Sequence, residues 1–189
     1  MKRYKKMMLV TALTMMIILI GMAYATLTSK IVLNVGTTFT GTSGLGTAIE
    51  TLALDYSIDL ATGTGANQAN IIYSASRSLA DDVNETLDLY ASGTLKDSFG
   101  TALTMTRLKL LFIYNTSTDA SLLLGGGTTP VGIFADASDI LTLPPGGKCL
   151  FSAPDATGVL LTTNKNLKLA HNGTGTSALV YKIVAIGVD

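Results

Sequence analysis

An all-β fold, an antiparallel sandwich or jelly roll of about ten short strands, is predicted by three observations. From residue 30 onward short apolar runs alternate with clusters of Gly, Thr, Asn, Asp and Pro. Several runs alternate apolar and polar side chains with period two, the signature of a strand buried on one face. Helix signals are scarce: residues 98–109 could be scanned as helical, but Thr101, Thr104 and Thr106 lose rotamer freedom in a helix and argue against it. A chain of 189 residues is expected to form one domain with an appendage.

The appendage comes first. Residues 1–6 carry four positive charges, and residues 7–20 carry no charge, with Thr11 and Thr14 as their only polar side chains. Ala23 and Ala25 flank Tyr24 as small residues before Thr26, which completes the pattern of a secretory signal cleaved between Ala25 and Thr26. The alternative is a retained anchor helix, because the uncharged stretch 7–29 exceeds the ~20 residues that cross a bilayer core. Both readings place residues 26–189 outside the cytoplasm, secreted or on the cell surface. Cleavage removes Lys2, Arg3, Lys5 and Lys6 from the 13 basic residues, so the exported part is mildly acidic. It has no general attraction for nucleic acid or anionic membranes.

The expected strands then follow in order. They are residues 30–35, 52–60, 70–79, 85–91, 104–115, 121–124, 140–143, 148–152, 159–162, 167–171 and 178–187. Leu52, Leu54, Tyr56 and Ile58 alternate with Asp55, Ser57 and Asp59. The final run is apolar on both faces, so it is expected to be a central strand covered on both sides. Residues 36–46 are rich in Gly and Thr and are expected to link an N-terminal strand to the body, giving segments 1–25, 26–46 and 47–189. Residues 61–69 are expected to form a surface loop. Pro144-Pro145-Gly146-Gly147 and Asn172-Gly173-Thr174-Gly175 are expected turns.

Chemistry is thin. One Cys and one His exclude a disulfide framework and a Cys/His zinc site. His171 ends a strand-like run, Cys149 sits in an apolar one, and no catalytic or nucleotide-binding motif occurs. No enzyme activity, catalytic residue or cofactor is therefore expected. Asp81, Asp82 and Glu85 form one carboxylate cluster and Asp136 with Asp139 another, candidates for calcium or, more simply, solvated turns. The absence of Trp removes the usual platform for stacking sugars. Asn84, Asn115 and Asn172 head glycosylation sequons.

Two resemblances add to this reading. Ile72-Tyr-Ser-Ala-Ser-Arg-Ser-Leu-Ala80, the Gly93 to Lys109 stretch, Pro144-Pro-Gly-Gly147, Ala153-Pro-Asp-Ala156 and Leu179 to Gly187 are similar to small β-rich structural proteins of tailed bacteriophages. That resemblance spans residues 70–189 and implies a non-enzymatic virion component. Residues 21–38 resemble the signal and first strand of TasA-type extracellular fibre proteins, which implies polymerisation by strand donation from residues 26–36. The leading expectation is thus a virion surface component that assembles through sheet contacts. A secreted fibre subunit is the alternative, and a carbohydrate- or calcium-binding adhesion module a third. Partners are expected to be further copies or other particle subunits, without nucleic acid, and with a membrane only through residues 7–29 if the leader is kept. Mass spectrometry of the exported protein is expected to find Thr26 at the N-terminus; a Met1 start with detergent-dependent solubility would establish the anchor instead.

Overall fold

The computed structural model describes residues 26–43, 46–90, 93, 95–97, 99–173 and 177–189. The expected signal or anchor over 1–25, including Ala25, lies outside the described residues. Among these residues there are twelve strands and no helix. They are β1 (Ser29–Ser43), β2 (Gly46–Thr62), β3 (Gln68–Ala69), β4 (Ile71–Leu79), β5 (Asn84–Asp88) and β6 (Arg107–Asn115). The second half contributes β7 (Leu122–Gly125), β8 (Ile140–Leu143), β9 (Lys148–Ser152), β10 (Val159–Leu160), β11 (Asn166–His171) and β12 (Leu179–Val188). Three sheets result: β1-β2-β3; β10-β6-β12-β4 with β9 also on β6; and β5-β11-β7-β8. Every strand pair is antiparallel except the short β2–β3 pair.

The five-stranded and four-stranded sheets share one core. Leu111 and Ile113 of β6 and Tyr181, Ile183 and Ala185 of β12 meet Leu167 and Leu169 of β11 and Leu122 and Leu124 of β7. The chain passes between these sheets at the first expected turn and again after β11, where Thr174 and Gly175 of the second expected turn lie outside the described residues. In the first, Gly147 N–H donates to the Pro144 carbonyl at 2.8 Å and Gly146 takes φ 73°. Two residues past β11, Gly173 takes φ 67°. As expected, β12 is central, paired to β4 on one side and β6 on the other.

The first two strands overturn part of the sequence reading. They are 15 and 17 residues long rather than short, and they pair in unbroken register from Ser29 opposite Leu60 to Ser43 opposite Gly46. Residues 36–43, expected as linker, continue β1. Thr37, Thr38, Phe39 and Thr40 favour extended backbone, and a Cβ at Gly36 would meet nothing, so no packing is lost there. Residues 61–69, expected as a loop, instead hold the end of β2 and all of β3. Only residues 63–67 turn, with Asn67 at φ 53°.

A bulge sets the end of the central pair. Ile186 lies opposite Leu110 but Gly187 lies opposite Leu108, leaving Lys109 as the extra residue of β6. The bulge returns Leu108 to the main core and presses Gly187 against the β6 backbone. A Cβ at position 187 would overlap the Arg107 carbonyl and the Met105 side chain. Gly187→Ala is therefore expected to cost about 1–3 kcal/mol through overpacking, measured as a lower urea midpoint; an unchanged midpoint would refute the role of this close approach.

Candidate assembly surface

The β1–β2 ribbon has two chemically distinct faces, because register pairs share a face. One face carries Ile31 with Ile58, Leu33 with Tyr56, Val35 with Leu54, Thr37 with Leu52, and Phe39 with Glu50. The other carries Lys30 with Asp59, Asn34 with Asp55, and Thr38 with Thr51. On that polar face the Asn34 amide donates to the Asp55 carboxylate, and Lys30 Nζ stands 3.9 Å from Asp59. The apolar face is anchored only at its root. Ile58, Leu60 and Ala69 are buried against Leu110 of β6 and Ile186 of β12, with Leu27, Ile31 and Ile72 packed around them. Each fully buried aliphatic chain contributes roughly 1.5–3 kcal/mol, enough to hold the root down. Farther out the same face is open: Phe39 is 72% exposed, Leu52 60%, Leu54 53% and Tyr56 52%. Ile49 on the opposite face is also exposed, so this part of the ribbon stands clear of the body.

Beside the root lies an apolar trough of about 690 Å³. Its floor is the outer face of the five-stranded sheet, with Ile72, Leu110, Phe112, Leu150, Val184 and Ile186. Its wall is β1 itself from Ser29 to Leu33, and Lys30 and Lys148 stand at its margin. In the pairing of the described strands β1 joins only β2, so its other edge is free along this wall. Free edges and contiguous apolar surface are the two features that drive sheet-to-sheet association.

The polar side chains inside the body serve packing. Glu85 of β5 reaches across to the five-stranded sheet, where its carboxylate accepts from Arg77 Nε at 2.8 Å and from the Tyr181 hydroxyl at 2.7 Å. Arg77 also donates to the Tyr73 hydroxyl at 3.3 Å. Burial pushes the Glu85 carboxyl upward, but the hydrogen bonds from Arg77 and Tyr181 outweigh it and hold the group below its usual range. Burial, reinforced by Glu85, raises the Tyr181 phenol, and the Glu85 hydrogen bond raises the Arg77 guanidinium despite its desolvation. Lys109 is buried at the bulge, where its ammonium donates to the Asp155 carbonyl; desolvation lowers its pKa from the ordinary lysine value.

The carboxylates singled out as calcium candidates are dispersed or engaged. Glu85 is held by Arg77 and Tyr181, while Asp81 lies 3.3 Å from His171 Nδ1. Asp82 takes φ 59° in the turn before β5. Asp139 accepts from the backbone N–H groups of Ala135 and Asp136, and Asp136 from the N–H and hydroxyl of Ser138. Among the described residues no three His, Cys, Asp or Glu side chains gather as a metal site. His171 is buried at the end of β11, with Gly173 N–H donating to Nδ1 at 3.0 Å and Nε2 3.3 Å from the Ser177 carbonyl. Cys149 is half-buried on β9, and burial raises its thiol. Asn115 is buried, its amide donating to the carbonyls of Ala120, Leu143 and Pro144 at 2.9–3.1 Å, so this sequon is closed to modification in the folded chain.

Sequence reasoning saw the anchoring half of the surface but not its reach. The strand at residues 30–35 and the alternation at residues 52–60 are legible, and Thr37, Thr38, Phe39 and Thr40 carry the signal that extends the first of them. The inter-sheet clamp lends itself to a direct measurement. Glu85→Gln leaves the Arg77 guanidinium without its carboxylate and is expected to cost about 1.5–3 kcal/mol at neutral pH. A carboxyl with a depressed folded pKa contributes above its unfolded value of roughly 4.3 and loses that contribution as pH falls through the folded value. Urea titrations of parent and variant should therefore converge in acid; a gap that is constant with pH would exclude the charged clamp. No protein-family model, no curated protein and no solved structure matches this chain, and its function is read from the geometry above.

Proposed function

We propose that the chain is a non-enzymatic structural subunit displayed outside the cytoplasm, a virion surface component that works through sheet contacts. In this reading the five- and four-stranded sheets form a sandwich of jelly-roll type, and the ribbon carries the contacts. The observation behind the proposal is the ribbon's distal apolar face, with four large side chains from Phe39 to Tyr56 each more than half exposed. An isolated two-stranded ribbon is marginal in water, and an apolar face of this extent on a soluble chain marks an interaction surface. The polar groups support the same reading, since Glu85, Arg77, Lys109, His171 and Asn115 are all committed to internal partners.

A secreted fibre subunit is the second reading, favoured by the free edge of β1 along the trough. In that case residues 29–36 stay paired with β2, and growth uses the free edge or the whole ribbon. Electron microscopy and sedimentation of the exported chain are expected to reveal regular particles or filaments that dissociate on dilution. A monomer at every concentration, with a substrate turned over at a defined pocket, would overturn both readings.

A further inference from the structure

We propose that the trough on the five-stranded sheet receives the distal ribbon of a second copy of this chain, packed head to tail; this rests on the assembly reading above. Val35, Phe39, Leu52, Leu54 and Tyr56 are exposed on one face of the ribbon. Together they present a contiguous apolar surface, with Phe39 and Tyr56 as its aromatic anchors. The trough floor is the matching apolar surface, and its wall is an unpaired strand edge beside which an incoming ribbon can lie.

Charge agrees with this placement. Glu50 stands opposite Phe39 on the otherwise apolar ribbon face, exposed and with no ion pair or hydrogen bond among the described residues. The trough margin carries Lys30 and Lys148. Lys30 is only loosely paired to Asp59 at 3.9 Å, and Lys148 lies 4.3 Å from the Tyr114 ring centroid. An incoming Glu50 finds a cation at either position. Stacking two ribbons face to face would bury the same side chains but leave the trough floor open to water and Glu50 without a cation. Ribbon and trough are different surfaces, so the contact is heterologous: each copy keeps one free ribbon and one free trough, and addition continues.

Two substitutions at exposed positions separate the partners of this contact in the full chain. Leu54→Glu removes the ribbon's apolar centre, and Leu150→Glu places a charge on the trough floor. Circular dichroism and thermal melting check that both fold as the parent does. Each variant alone is expected to weaken assembly roughly tenfold or more, because a buried leucine is replaced by a desolvated charge. Mixed, the two should form a one-to-one pair and stop, since the Leu150→Glu chain still has its ribbon and the Leu54→Glu chain its trough. Parent-like assembly of Leu150→Glu, with Leu54→Glu alone defective, would overturn the proposal in favour of ribbon stacking. Assembly unaffected by either change would overturn it while leaving the structural-subunit reading standing. A parent chain that stays monomeric would sink both.

Discussion

β6 and β12 lie side by side in the five-stranded sheet with apolar side chains on both of its faces. The inner row, Leu111 and Ile113 with Ile183 and Ala185, closes against the four-stranded sheet. The outer row, Leu110 and Phe112 with Val184 and Ile186, has no second large sheet above it. A sheet that is apolar on both faces must be covered twice. Here the second cover is the root of a hairpin that supplies Ile31, Ile58 and Leu60 and then runs on past the edge of what it covers. The long ribbon, the trough beside it and the small second core are consequences of that unfinished cover.

The bulge at Lys109 belongs to the same problem. It lets β6 present Leu110 to the outer cluster and Leu108 to the main core on either side of one inserted residue. The cost is a lysine taken out of water, offset by the carbonyl of Asp155 and by the loop that carries it over the bulge. Gly187 completes the arrangement because only hydrogen fits between the two backbones there. Packing on both faces thus fixes local details that look incidental along the chain.

The charged residues divide by location. Arg77 and Glu85 are drawn between the sheets, where each satisfies the other and a tyrosine hydroxyl. The ribbon keeps most of its charges on one face, in cross-strand pairs such as Lys30 with Asp59, and leaves the opposite face uncharged except for Glu50. A free strand edge normally carries charge or proline to prevent association. The edge of β1 along the trough carries Lys30 alone between Ser29 and Leu33, so association is discouraged only weakly there. Polar groups inside the body are committed to order, and the apolar surplus is left on the ribbon and in the trough.

Local sequence determined the strand content of this protein, because alternation and turn chemistry act within a few residues. The β-strands at 140–143 and 148–152, the Pro144 turn and the central place of the last strand were all legible that way. What the local pattern could not decide was which apolar residues would be buried. Ile58 and Leu54 look alike in the chain, both on the same face of β2, yet one is 5% exposed and the other 53%. The difference is made by distance from a sheet whose strands come from residues 71–188, and no window of sequence contains both. The same remoteness hid the continuation of β1 through Gly36 and Gly41, where pairing with β2 supplies the order that glycine by itself withholds.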